Sequence, residues 1–225
     1  MRIPRIDRVR IFFQLQRSIL FKYGWIQSWR TNRPVDRDRE PIPWMTYPAI
    51  DFLGQFDYSE ASILEWGSGY STLWWAKRCK SITSIESQVD WIPYIKTMIP
   101  DNVRLLTPEF DKESEVNVID EENFVYDIIV IDNHGPFRAS CAEKAVSILA
   151  DGGLIVLDNS DQCLKATAVL RAAGFTQIDF TGLVPTMGYA HSTSIFLKQR
   201  IALPSLHADL PAQSVAQPNP PWENC

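Results

Sequence analysis

Four acidic residues each follow a short apolar run: Glu65 after SIL, Glu86 after SITSI, Asp132 after YDIIVI and Asp158 after LIVL. Such runs are typical of strands buried on both faces of a parallel sheet. The carboxyl ends of parallel strands meet at one edge, where these sheets bind ligands, so the four carboxylates should lie together there. Glu86 lies 21 residues beyond Glu65, which suits an acid that accepts both hydroxyls of a ribose. A carboxylate that caps the next helix is the alternative for Glu86.

The stretch SILEWGSGYST predicts a strand, a glycine turn and a helix that begins near Ser71. Gly67 and Gly69 allow a tight turn and let a ligand lie against bare backbone. A carboxylate at Glu65 that faces the ligand suits an ammonium group and repels a pyrophosphate. The third glycine of the dinucleotide fingerprint would fall at Thr72, which disfavours that class of ligand. A purely structural turn is the alternative.

Strand-like and helix-like segments alternate from residue 61 onward, with strands expected at 62–65, 81–85, 103–106, 126–131, 154–157, 176–180 and 192–197. Only a loop separates the last two, so they should pair antiparallel. The alternation predicts an α/β fold, a doubly wound, Rossmann-like sheet of seven strands that is mostly parallel with an antiparallel last strand. Residues 107–125 are acidic and irregular, and the pattern assigns them no element; a lid over the ligand is one interpretation.

The ends of the chain differ from its middle in composition. Residues 1–40 hold ten Lys/Arg and four Asp/Glu, whereas the rest hold 12 and 23, so broad nucleic-acid binding is not expected. Residues 3–29 predict a basic amphipathic helix that could touch a membrane surface, a second subunit or its own domain. A polar linker follows at 31–43. We therefore predict an N-terminal helix and linker at 1–40, one domain at 41–200 and a flexible Pro-rich tail at 201–225.

No apolar run approaches the length of a membrane span, and the four cysteines lack C-x-x-C spacing. These features predict a cytoplasmic protein without a zinc site. Peripheral contact with a membrane through the N-terminal helix is compatible with this prediction.

At residues 44–198 the sequence resembles the class I S-adenosylmethionine-dependent methyltransferases. The resemblance rests on ILEWGSGYST, Glu86, IIVIDNHGP, GGLIVLDNSD and the final STSIFLK. It implies that S-adenosyl-L-methionine is the cofactor and that Glu86 binds its ribose. The other cofactor-binding residues it implies are Glu65, Gly67, Ser68, Gly69, Ser71 and Asp132. Ser71 departs from the pattern, since many family members carry a third glycine there.

A narrower resemblance is to metal-dependent O-methyltransferases of the catechol type, and it implies Mg²⁺ bound by Asp132, Asp158 and Asn159. A hard cation with oxygen ligands can lower the pKa of an acceptor hydroxyl. Asp158 and Asn159 could instead cap the next helix. Asp132 and His134 are the candidate catalytic residues, with His134 as general base and His191 as second choice.

Trp44, Tyr47 and Arg138 are candidate substrate-binding residues. The two aromatic residues, together with Tyr70, could form a stacking wall, and the arginine could bind an acidic or polyhydroxyl group. Core packing and a structural salt bridge are their alternatives. The expected function is methyl transfer to a hydroxyl of a small molecule or glycan. A nicotinamide-dependent oxidoreductase and a non-catalytic scaffold remain open.

Overall fold

The computed structural model describes residues 5–119 and 124–198. Its centre is a seven-stranded sheet with the order β3-β2-β1-β4-β5-β7-β6. The strands are β1 (Ser62–Trp66), β2 (Ser81–Ile85), β3 (Val103–Leu106), β4 (Tyr126–Ile131), β5 (Leu149–Leu157), β6 (Thr176–Leu183) and β7 (Ala190–Leu197). The first five strands pair in parallel, and β7 runs antiparallel to both β5 and β6. The predicted fold class is confirmed.

Helices cover the sheet and precede it. They are α1 (Arg5–Leu15), α2 (Trp25–Thr31), α3 (Tyr47–Leu53), α4 (Tyr70–Ala76), α5 (Ile92–Lys96), α6 (Lys112–Asn117), α7 (Arg138–Ile148) and α8 (Leu164–Ala172). Alternate residues of the central strands enter two separate cores: Leu64 and Ile129 pack on one face of the sheet, Ile63 and Val130 on the other. Both faces are apolar, which explains why the strands read as unbroken hydrophobic runs.

The start of β5 and the structure of residues 107–119 differ from the sequence expectation. β5 begins at Leu149, five residues before the predicted start. The acidic stretch 107–125 contains α6, whose first turn is capped by Asp111; its carboxylate accepts a hydrogen bond from the Ser114 amide at 2.9 Å. An N-cap of this kind satisfies one of the free amides at the helix start, which stabilises a helix too short to form by propensity alone.

The predicted N-terminal helix is interrupted. After α1 the chain forms a π-helix (Gln16–Lys22) and turns at Gly24 before α2 begins. Gly24 has φ 83°, and a Cβ there would lie 2.2 Å from the carbonyl carbon of Asp36. The close approach of these two backbones therefore requires glycine and ends the helix.

Large apolar side chains of the N-terminal helical segment point to solvent, among them Ile11, Phe12, Phe13 and Phe21. Contact with a membrane surface or a second subunit stays a prediction for this segment. Within 5–119 and 124–198, no helix has the length and apolar character that a membrane span requires.

The stretch predicted as a linker forms a tight turn against the domain. The Ser28 hydroxyl donates to the Val35 carbonyl at 2.6 Å and accepts from the Val35 amide at 3.0 Å. The Asp36 carboxylate accepts from the amides of Asp38 and Glu40. The proposed boundaries at residues 40 and 200 stay a prediction, and the tail at 201–225 lies outside the described residues.

Candidate active site

The turn between β1 and α4 is built around two glycines with different roles. Gly67 has φ 97°, and a Cβ there would lie 2.4 Å from the carbonyl oxygen of Asp132. Glycine at this position lets the ends of β1 and β4 touch. Gly69 is extended, and its Cβ would meet nothing closer than the Ser71 hydroxyl at 4.0 Å. The missing side chain of Gly69 therefore leaves open space above the turn.

Glu65 lies beneath this turn and does not face the open space. It is fully buried, and one carboxylate oxygen accepts hydrogen bonds from the hydroxyls of Thr72 and Ser84. The Thr72 oxygen in turn accepts from the Gly69 amide at 2.9 Å, and the Ser84 hydroxyl lies 2.7 Å from that of Ser68. Glu65 thus holds the turn from below through two hydroxyl bridges.

Glu86 lies at the end of β2, beside the same turn. Its carboxylate accepts from the Ser68 amide at 3.2 Å and from the Gln88 amide at 2.8 Å, one bond to each oxygen. The Trp91 indole donates to the Ser68 carbonyl at 2.7 Å and closes the turn from the α5 side. Each Glu86 oxygen keeps acceptor capacity, because a carboxylate oxygen can accept more than one hydrogen bond.

These residues enclose a cavity of about 590 Å³. It lies where the strand order reverses between β1 and β4, the place at which open α/β sheets bind ligands. The predicted site residues that line it are Trp44, Gly67, Ser68, Gly69, Ser71, Glu86, Asp132 and His134.

Solved structures share this architecture. An O-methyltransferase from Bacillus cereus in complex with SAH (S-adenosylhomocysteine) matches with a TM-score of 0.57 at 18% identity, over 82% of this chain and 96% of that one. An rRNA methylase from Streptococcus thermophilus matches with a TM-score of 0.51 at 16% identity, over 70% and 100% of the two chains. A precorrin-6y C5,15-methyltransferase from Geobacter metallireducens gives 0.50 and 17%, over 63% and 82%.

The chain has the fold of the class I methyltransferases. No protein-family model matches its sequence, and no curated protein matches it.

In this methyltransferase fold, further residues complete the cavity wall that the sequence did not single out. Asn32, Arg33 and Pro34 come from the turn before the domain, and Trp91 and Tyr94 come from the segment around α5. The Tyr94 hydroxyl lies 3.0 Å from that of Tyr70, and the Arg33 guanidinium lies 5.8 Å from the Tyr94 ring centre. The sequence feature that could have predicted this wall is the pair of aromatic residues, Trp91 and Tyr94, that follows Glu86, the acid predicted to bind the ribose.

Glu115 of α6 is a second missed residue. It is 2% exposed, and its carboxylate accepts from the hydroxyl of Ser87 and from the side-chain amide of Asn133 at 2.6 Å. Its carbonyl accepts from the Trp66 indole at 3.0 Å. Glu115 thereby joins α6 to the ends of β1, β2 and β4, and it lines the cavity. Glu115 could not be singled out from the sequence because, in an acidic and irregular segment, it resembles the surface carboxylates around it.

Asp132 and His134 stand together at the cavity, on the loop after β4. The Asp132 side chain is 21% exposed and pairs with Arg138 at 2.9 Å. Burial and the neighbouring Asp158 raise the pKa of Asp132, while Arg138 and His191 oppose the rise. The His134 imidazole is exposed and packs against the rings of Phe110 and Phe137, at centroid distances of 5.2 and 4.9 Å.

The structure brings the remaining predicted residues to other places. Tyr47 is 4% exposed and packs in the core against Tyr23, so it forms no part of the cavity wall. Arg138 is also buried and does not line the cavity; its guanidinium donates to the Asn133 carbonyl and the Asp132 carboxylate. His191 is 6% exposed and lies in the same buried layer.

Asp158 and Asn159 do not form an open ligand set with Asp132. The Asp158 carboxylate accepts from the Thr193 hydroxyl and lies 3.6 Å from the His191 ring. Asn159 has φ 48°, a conformation that asparagine tolerates, and contacts Arg138 and His191. Among the residues the structure describes, no group of three or more His, Cys, Asp or Glu could hold a metal ion.

Proposed function

We propose that this protein is an S-adenosylmethionine-dependent methyltransferase that transfers the methyl group to a hydroxyl of a small molecule or glycan. The observation that carries the proposal is the cavity at the strand-order switch, with the glycine turn as its floor and Glu86 in its wall. The Bacillus cereus O-methyltransferase with its bound SAH supports both the cofactor and an oxygen acceptor.

The chemistry of the cavity suits the parts of this cofactor. The Glu86 carboxylate has acceptor capacity on both oxygens for the two ribose hydroxyls. The space above Gly69 suits the methionyl chain, which would lie against bare backbone. The cofactor carries a sulfonium and an ammonium group, and the cavity is lined by three acidic residues, Glu86, Glu115 and Asp132, against one arginine, Arg33, a balance that favours a cationic ligand.

The acceptor would enter beside Trp44, Asp132 and His134. Trp44 is 44% exposed and offers an aromatic face for a sugar or ring. S-adenosyl-L-methionine, when bound, would supply its methyl group to the acceptor oxygen and would leave as the neutral thioether S-adenosylhomocysteine. The hydroxyl proton passes to the His134 imidazole, which is exposed and can release it to water. Positioning of the oxygen in line with the methyl group supplies much of the rate.

A nucleic-acid acceptor is disfavoured by charge. Residues 41–225 carry 12 Lys/Arg against 23 Asp/Glu, and binding to a phosphate backbone needs basic surface. The Streptococcus thermophilus rRNA methylase has the same fold, which fits the general rule that this fold does not determine the acceptor.

The test is a calorimetric titration with S-adenosylhomocysteine, followed by transfer of a labelled methyl group from the cofactor to a panel of catechols and sugars. We expect binding by the wild type and by Glu60→Gln, an exposed control whose side chain is 89% accessible. His134→Gln should bind S-adenosylhomocysteine as the wild type does and lose transfer, because its change affects only the proton acceptor.

Failure to bind S-adenosylhomocysteine, together with binding of NADH, would reject the proposal in favour of an oxidoreductase. Cofactor binding with no transfer to any acceptor of the panel would favour a non-catalytic module. Transfer by His134→Gln at the wild-type rate would remove His134 from the mechanism but leave the methyltransferase assignment intact.

A further inference from the structure

Arg138 is the first residue of α7, and its guanidinium contacts Asp132 and Asn133, two residues that line the cavity. It is 4% exposed, and its guanidinium contacts the ends of both β4 and β5. Nε donates to the Asn133 carbonyl at 2.8 Å, and one terminal nitrogen donates to the Asp132 carboxylate at 2.9 Å. The other terminal nitrogen donates to the Asp158 carbonyl and lies 3.3 Å from the Asn159 side-chain oxygen.

These partners include all three residues that the catechol-type resemblance implies as Mg²⁺ ligands. Two of the three side-chain oxygen groups, on Asp132 and Asn159, face the guanidinium. The third, the Asp158 carboxylate, is turned toward Thr193 and His191 and is 3% exposed. Mg²⁺ requires oxygen ligands at about 2.0–2.1 Å in octahedral geometry. The residues present do not fit this ion, because the guanidinium cation of Arg138 already lies among their oxygens.

We propose that the guanidinium of Arg138 takes the place of a divalent cation between Asp132, Asp158 and Asn159, so that methyl transfer here needs no metal. The occupancy follows from the contacts of Arg138 alone, whereas its consequence for catalysis rests on the proposed function. Arginine suits this task because its planar fork of donors can hold several oxygens at fixed angles and keeps its charge at all relevant pH values.

Arg138 is a positioning residue. It holds one Asp132 oxygen and fixes the direction of the carboxylate at the cavity. It also joins the loop after β4 to the end of β5 through the carbonyls of Asn133 and Asp158. Its positive charge offsets part of the negative charge of Asp132 and Asp158 below the cavity. Without a metal to acidify the acceptor hydroxyl, the proton must go to a side chain, which agrees with the role proposed for His134.

The first arm of the test uses the wild-type chain and Mn²⁺, a paramagnetic substitute for Mg²⁺. Electron paramagnetic resonance should detect no tight, stoichiometric Mn²⁺ binding. Binding of one Mn²⁺ that disappears in Asn159→Ala would overturn the proposal. Binding that is equally strong in Asn159→Ala belongs to another site and agrees with it. This arm needs no cofactor, so it remains decisive even if the proposed function is wrong.

The second arm measures the affinity for S-adenosylhomocysteine by calorimetry in EDTA and in millimolar Mg²⁺. We expect the same affinity in both, and a tenfold gain with Mg²⁺ would overturn the proposal. No binding in either condition would count against the proposed function and leave the Mn²⁺ result to judge the role of Arg138.

The third arm compares Arg138→Lys, Arg138→Met and the control Arg78→Met. Arg78 is a remote arginine that lies 4.0 Å over the Trp74 ring. Loss of charge-assisted hydrogen bonds predicts about a tenfold loss of S-adenosylhomocysteine affinity in Arg138→Met. The lysine should restore part of this loss, since it keeps the charge without the fork. Wild-type affinity in Arg138→Met, or an equal loss in Arg78→Met, would refute the positioning role. If the methionine variant fails to fold, the lysine variant and the Mn²⁺ arm decide.

Discussion

Replacement of Glu65 by glutamine should change the pH dependence of stability. Glu65 is fully buried, and burial raises its pKa from 4.5 to about 7, with the nearby charge of Glu86 adding to the rise. Hydrogen bonds from Ser71, Thr72 and Ser84 oppose the rise without cancelling it. The folded protein therefore binds this proton more tightly than the unfolded chain does. The carboxyl group's contribution to stability is then complete below about pH 4.5 and is lost as the pH rises toward 7.

The size of the effect follows from the pKa. A change from 4.5 to about 7 corresponds to about 3 kcal/mol in the free energy of unfolding. Glutamine has no charge to desolvate and can still accept hydrogen bonds from Thr72 and Ser84. Its stability relative to the wild type should therefore rise with pH by this amount, because any misfit of the amide contributes equally at every pH.

Urea unfolding of the wild type and Glu65→Gln between about pH 5 and pH 8 measures this difference. Other buried carboxyl groups titrate in both proteins; the repulsion of Glu65 with Glu86 and Asp132 is absent from the variant and contributes to the difference in the same direction. Glu60→Gln, at an exposed acid, should give a flat difference. A flat difference for Glu65→Gln as well would refute the reasoning, since it would mean that Glu65 is ionised in the folded protein throughout the range.

Four further changes separate folding from cofactor binding. Gly69→Ala should change the free energy of unfolding by no more than about 0.5 kcal/mol. It should weaken S-adenosylhomocysteine binding in calorimetry, because the new methyl group enters the cavity. Gly67→Ala should instead lower the free energy of unfolding in urea by about 3 kcal/mol or more, because its Cβ meets the Asp132 carbonyl. The reverse order of stabilities would contradict both roles. Glu86→Gln should lower the affinity for S-adenosylhomocysteine by about tenfold, through loss of charged hydrogen bonds to the ribose; unchanged affinity would argue against ribose binding. Trp91→Phe should cost about 1 kcal/mol of stability by losing its bond to the Ser68 carbonyl, a loss that exposed Trp29→Phe should not show.

The central sheet could be predicted from sequence because its strands are buried on both faces. Runs such as YDIIVI contain few polar residues and are followed by an acidic residue, so both the strand and the end of it that faces the ligand could be predicted. The glycine turn and Glu86 follow from the same local pattern. The direction in which a side chain at a strand end points could not be predicted from this pattern. Glu65 and Glu86 have the same sequence context, yet one points beneath the turn and the other into the cavity.

Partners that come from distant segments account for the other differences. Arg138 looked like a substrate ligand because its neighbours in the sequence are a turn; its contacts with Asp158 and Asn159 lie 20 and 21 positions away along the chain. Glu115 is bound by Ser87 and Asn133, at separations of 28 and 18. Tyr47 was predicted to bind the substrate because tyrosine is common both in protein cores and in binding sites. Its packing against Tyr23 in the structure places it in the core.

The turn at 32–34, which lies outside the sheet and before its first strand, has a consequence for how such proteins diversify. It contributes a wall of the cavity while it is anchored through Ser28, Val35 and Asp36. Insertions or replacements there would alter the entrance without disturbing the cofactor floor, which is built from strand ends. A library randomised at positions 32–34 is therefore a natural starting point for changing acceptor selectivity, because it leaves the sheet unchanged.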